Sequence, residues 1–177
     1  MASPAETSGE TSARERLMLA YIEAWNAHDP DRVASFFAED AVYDDRGAAE
    51  LYRGRGAIRD FVARVQGGFP DLRFELIRAA HARDFTAAEW SCRMTHGGVF
   101  SGLWPTGREV ESAGVDVATV GPDELIVHLV SYYDAAAIMR ALGLLPEHGS
   151  SLERALVALA SAPRRALSRA GRGARPR

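Results

Sequence analysis

The chain contains no lysine; all 21 of its basic residues are arginine. This excludes a lysine Schiff base and a phosphate loop that ends in Gly-Lys. There is one cysteine, Cys92, so an intrachain disulfide and a cysteine-rich metal site are excluded as well. Cys92 falls in an apolar strand pattern, which reads as a packed thiol rather than a nucleophile. No stretch approaches the roughly 18 apolar residues that a membrane span needs. The beginning, MASPAETSGETSARE, lacks the basic start and apolar run of a signal peptide. A cytoplasmic location with no membrane partner is therefore expected. No histidine has a second ligand at metal-binding spacing, so no metal is expected; His28 and His148 read as wet, and His81 and His128 stand alone.

The length of 177 residues, with 47% hydrophobic and 25% charged residues, suits one soluble domain with a short appendage. Net charge is −3 but uneven: residues 146–177 carry seven arginines against Glu147 and Glu153, which leaves about −8 on residues 1–145. A body of that charge excludes nucleic-acid binding, which needs a basic surface.

Residues 1–10, rich in Ser, Thr, Glu and Ala, read as disordered. Leu17, Ala20, Tyr21, Ala24 and Trp25 recur at helical spacing and predict a helix over 11–27. Asp29-Pro30-Asp31 opens a second helix, with Asp29 as N-cap and Val33, Phe36 and Phe37 facing the core. A short strand follows over 41–45, where Tyr43 and Asp45 share a face, and then a loop over 46–54. Ile58, Phe61, Val62 and Val65 mark a third helix over 56–65. Strands are predicted over 71–82 and 86–96, the latter with Ala88, Trp90, Cys92, Met94 and His96 on one face. A long strand over 109–120, a tight turn and a closing strand complete the sheet. Asp134 caps a short helix over 135–142. Three helices followed by long hairpin-linked strands give an α+β class: a curved antiparallel sheet wrapped over helices, enclosing a conical small-molecule pocket. After residue 146 comes an Arg/Ala-rich extension with one amphipathic helix (Leu152, Leu156, Leu159), read as a solvated tail or a partner-binding arm.

Asp116 is the residue most in need of explanation. On the strand 109–120 it shares a face with Val110, Ser112, Gly114, Ala118 and Val120, and a carboxylate buried there is expensive unless paired or protonated. Alternation alone does not say which face is inside. His96, at a strand end beside two glycines, is either a proton relay or a hydrogen-bonded structural residue. Trp104, in the loop before Pro105, is harder to read as core and could close the pocket mouth.

FPDL (69–72), THGGVFSGLWPTGREV (95–110), GVDVATV (114–120) and YDAAAIMRALGLLP (133–146) together resemble the SnoaL-like polyketide cyclase family of the nuclear transport factor 2-like superfamily. The resemblance spans about residues 14–146, makes 11–146 one domain, and implies a cone-shaped sheet on three helices. It also implies a small hydrophobic substrate and a homodimer formed through the open sheet face. AYIEAWNAHDPDRVASFFAEDAVYDD (20–45) is similar to the start of bacterial ketosteroid isomerases. Their oxyanion-hole tyrosine matches Tyr21, their general base Asp45, and their protonated oxyanion-hole aspartate Asp116; that raised-pKa logic is an established example for those enzymes. Ser131 stands where aldol-condensing cyclases carry an essential aspartate. The implied activity needs no cofactor: Asp45 takes an α-proton from a polyketide- or terpenoid-like ketone, and Tyr21 with a neutral Asp116 holds the enolate. Trp90, Met94, Phe61 and Trp104 are expected to contact the substrate. Epoxide opening by paired carboxylates and a non-catalytic binding or dimerisation module remain alternatives.

Overall fold

The computed structural model describes residues 8–82 and 84–170. Its order is α1 (Ser8–Asn26), α2 (Pro30–Ser35), β1 (Phe37–Asp45), β2 (Glu50–Arg53), α3 (Arg55–Gly68), β3 (Arg73–His81), β4 (Thr86–Thr95), β5 (Glu109–Val120), β6 (Ile126–Tyr133), α4 (Ala135–Ala141) and α5 (Ser151–Ala170). The strands form one open six-stranded sheet in the order β2-β1-β6-β5-β4-β3. Every pair is antiparallel except β1–β6, which is parallel. A parallel pair between the first and last long strands cannot be read from local periodicity, because its partners are some ninety residues apart in the chain.

The two helix caps form as expected. The Asp29 carboxylate accepts from the Arg32 N–H at 2.9 Å, and Asp134 accepts from the Ala137 N–H at 2.9 Å. Boundaries differ in three places. α1 starts at Ser8, inside the stretch read as disordered, whose first seven residues lie outside the described ones. β1 starts at Phe37, so that aromatic enters the core from a strand and not from α2. The expected loop 46–54 contains β2, whose Leu51 and Tyr52 pair with Asp44 and Tyr43. Four residues with mixed exposure carry too little period-2 signal to show as a strand.

The concave face of the sheet and the helices share one core, which includes Trp25, Val33, Phe37, Ile58, Val62 and Leu129. Cys92 is buried in it, and burial pushes its thiol up to about 11, as fits a packing residue. Asn26 ties α1 to β3: its amide donates to the Phe74 carbonyl at 2.9 Å and its side-chain oxygen accepts the Phe74 N–H at 2.7 Å. His28 is half-buried, not wet, with Nε2 3.0 Å from the Leu72 carbonyl. The loop after β4 is bound to the end of α3, since the Gly97 and Gly98 N–H groups both donate to the Gly68 carbonyl. A Cβ on Gly98 would lie 1.9 Å from the Gly67 carbonyl oxygen, so this close approach needs glycine.

Candidate active site

Sheet register builds the site. Asp45 on β1 pairs with Ser131 on β6, and Ser131 pairs with Asp116 on β5. The three residues therefore form one row across adjacent strands, which puts the two aspartate Cα atoms about 10 Å apart at the usual strand spacing. All three side chains are buried and line a cavity of about 470 Å³ between the sheet, α1, α3 and α4. That volume is in the range of small-molecule sites.

Asp116 is 8% exposed and accepts two hydrogen bonds on Oδ1: one from the Trp90 indole N–H at 2.9 Å and one from the Ser131 hydroxyl at 2.6 Å. Burial pushes its carboxyl up to about 6, while these two donors hold it below where burial alone would take it, and the charge of Asp45 raises it slightly. The direction is the one expected of a buried acid, and its size is limited by the two donors, which favour the carboxylate.

Asp45 accepts the Tyr133 hydroxyl at 3.0 Å on one oxygen and the Ala48 N–H at 2.9 Å on the other. Three phenols line the same cavity: Tyr21 from α1, Tyr43 from β1 and Tyr133 from β6. Burial raises each above the usual phenol range; the next cause is the charge of Asp116 for Tyr21 and Tyr43, and that of Asp45 for Tyr133. All three are thus proton donors throughout the neutral range. Two glycines make room for this arrangement. A Cβ on Gly114 would lie 2.5 Å from Trp90 Cζ2, and one on Gly47 would lie 2.4 Å from Tyr133 Cζ.

Of the substrate contacts expected from sequence, Trp90, Met94 and Phe61 line the cavity. Trp104 does not: its indole is 77% exposed and outside the lining, and the same loop reaches the cavity through Phe100 and Leu103 instead. The Trp104 expectation is corrected accordingly; the turn closed between Phe100 and Leu103 points those two side chains inward and leaves the next residue outside. His96 is fully buried but is not among the lining residues. Its Nδ1 accepts the Thr106 N–H at 3.2 Å and lies 3.1 Å from Thr106 Oγ1, and its ring packs on Phe69. Through Nδ1 it anchors the loop, while its buried Nε2 has no hydrogen-bond partner among the described residues. Ser131, Tyr43 and Tyr133 were not singled out as site residues; only the register of β1, β6 and β5 shows that they share a row or a wall with the aspartates. Among the described residues no three His, Cys, Asp or Glu side chains gather as a metal ion would require.

Structural comparison finds the same fold in many solved proteins. AclR of Streptomyces galilaeus, named as a candidate hydroxylase, is 23% identical with a TM-score of 0.69, covering 87% of this chain and 96% of its own. IdmH of Streptomyces antibioticus, named as a candidate polyketide cyclase, is 25% identical with a TM-score of 0.60, covering 73% and 97%. A Catenulispora acidiphila protein with a ketosteroid isomerase-like fold, solved with trimethylamine, is 19% identical with a TM-score of 0.63, covering 73% and 93%. No curated protein matches the sequence. The model of the SnoaL-like polyketide cyclases matches residues 15–142, which hold α2 to α4, the row of Asp45, Ser131 and Asp116 and the three cavity tyrosines, and on that match the chain belongs to the SnoaL-like polyketide cyclase family.

Proposed function

We propose that the protein is a cofactor-independent cyclase or isomerase that works through an enolate on a polyketide- or terpenoid-like ketone, with Asp116 as the general base. The observation that carries this reading is the Asp116 carboxyl: buried on the cavity wall, held near pH 6, with both its donors on Oδ1. Oδ2 is then the oxygen available to a bound molecule. A base works best when its pKa is close to the working pH, and this one is.

In the proposed reaction Oδ2 removes a proton from the carbon next to the ketone. The electron pair moves onto the ketone oxygen, where the phenols of Tyr21 and Tyr43 donate hydrogen bonds to the developing charge. Return of the proton from Asp116 to a different carbon shifts a double bond. Attack of the enolate carbon on an internal carbonyl closes a ring, and the new alkoxide takes the proton from Asp116. Both routes balance without an oxidant or a metal. The roles differ from those the isomerase resemblance implies, where Asp45 is the base. Asp45 already accepts a hydrogen bond on each oxygen, so it serves better to orient Tyr133. The name of IdmH supports ring closure over the isomerase-type shift. A homodimer through the outer sheet face belongs to this reading; Val115, Val117 and Val130 there are only partly covered, and Tyr132 is exposed.

The test is proton exchange, which does not need the natural product. Incubation of an aromatic β-keto ester and of a β,γ-unsaturated steroid ketone in heavy water should give protein-dependent deuterium at the α-carbon, read by NMR. Exchange at the buffer rate with both probes would remove the enolate reading. Solvent oxygen entering an epoxide probe instead would favour the epoxide-opening alternative.

The pH profile follows from the same geometry. The rate should rise with pH through about 6 as Asp116 ionises. Trp90→Phe keeps an aromatic ring but removes one of the two donors, so the midpoint of that limb should move up by about one pH unit. An unmoved limb would mean that a different group sets it.

A further inference from the structure

The C-terminal helix has no role in the cavity, and its composition sets it apart from the body. α5 carries Leu152, Leu156, Val157 and Leu159 in its described part, all exposed, with Leu159 at 70%. Leu152, Leu156 and Leu159 recur at helical spacing on one face, and all three are exposed. An apolar helix face left open on this scale marks an interaction site.

Charge says what covers it. Of the two acids beyond residue 145, Glu153 is taken up locally: its carboxylate accepts the Gly149 N–H at 2.6 Å and lies 3.2 Å from His148 Nδ1, while its own N–H bonds Ser150 Oγ. The sequence then runs through Arg164, Arg165, Arg169, Arg172, Arg175 and Arg177 with no acid. A helix with leucines on one face and arginines gathered toward one end is the pattern that lies in the surface of an anionic bilayer. The described part of α5 meets the body at its first turn, where Glu153 lies 4.0 Å from Arg140 of α4, and the leucine face is left open. No helix among the described residues is long and apolar enough to cross a membrane, but lying in its surface asks for less.

The cavity gives the placement a purpose. Met139 and Leu144 line it and are 41% and 46% exposed, so they mark its mouth, and α5 begins seven residues after Leu144. We propose that α5 is a reversible anchor for an anionic membrane surface, which holds the apolar mouth of the cavity against the acyl layer. This holds whichever reaction the cavity carries, and it runs against the sequence expectation of no membrane partner.

The experiment is co-sedimentation of the full chain with vesicles of phosphatidylcholine alone and of phosphatidylcholine mixed with phosphatidylglycerol. At low salt the bound fraction on the mixed vesicles should exceed that on the neutral ones by about tenfold or more, and should fall steeply as salt is raised. Leu156→Glu with Leu159→Glu should lose that binding by a similar factor while the thermal unfolding of the body stays unchanged. Equal binding to both vesicles, or equal binding by the variant, overturns the proposal. So does a wild type that ignores vesicles but loses a self-associated form when the leucines are replaced, which would make a second copy the occupant.

Discussion

Asp116→Asn should slow the reaction by about 10²-fold or more and, at pH 8, make the fold more stable than the wild type. Both effects come from one carboxyl. Folding takes Asp116 from water, where its pKa is 3.8, to a buried wall where it is about 6. A group whose folded pKa is raised contributes no penalty below pH 3.8, where both states hold the proton. As pH rises from 4 to 6 the unfolded state ionises first, and above 6 the folded state carries a buried charge. A shift of about two units corresponds to roughly 3 kcal/mol of stability lost by the wild type across that window. Asparagine keeps an Oδ1 that can accept from Trp90 and Ser131, and it cannot ionise. Chemical denaturation should therefore show the variant's advantage widening between pH 4 and 7, toward 2–3 kcal/mol, and staying constant above. A gap that does not change with pH would place the ionisation elsewhere, and an undiminished rate would remove Asp116 from the chemistry.

How much of this could be read in the sequence depends on distance along the chain. The helices α1 to α4, both Asp caps and strands β3 to β5 follow from periodicity and capping within a few residues. The buried face of β5, with Asp116 on it, follows once Trp90 and Met94 are taken as inward on β4, because the pleat fixes the rest. What could not be read was the pairing of β1 with β6. It sets Asp45, Ser131 and Asp116 in a row, and it depends on contacts between residues 86 positions apart in the chain. Ser131 illustrates the consequence. In sequence it reads as the loss of the family's acid; in the sheet it is the neighbour of Asp116 and donates to it at 2.6 Å. The serine hydroxyl is one of the two donors that hold the Asp116 carboxyl below where burial alone would take it. Trp104 failed for the opposite reason: an aromatic in a glycine-rich loop carries no period from which its direction could be read.

Gly114→Ala should destabilise the fold by about 3 kcal/mol, although alanine in an extended strand would ordinarily gain a little over glycine. The added Cβ would sit 2.5 Å from Trp90 Cζ2, 2.9 Å from Cη2 and 2.5 Å from the Tyr132 carbonyl oxygen. Neither side can yield easily. The indole is held between Phe74 and Asp116, edge-on to the first at 5.2 Å between centroids and hydrogen-bonded to the second. The carbonyl belongs to β6, whose pairing with β5 sets Ser131 beside Asp116. If the indole is what moves, the Trp90 hydrogen bond to Asp116 breaks, and the stability loss comes with an upward shift of the acid limb of the rate profile like that of Trp90→Phe. The double variant separates the two obstacles. Phenylalanine lacks Cζ2 and Cη2 of the indole's outer ring, so Gly114→Ala should cost at least about 1 kcal/mol less in a Trp90→Phe background than in the wild type. Strict additivity in that cycle would assign the clash to the β6 backbone instead, and glycine at this position would then serve the sheet and not the site.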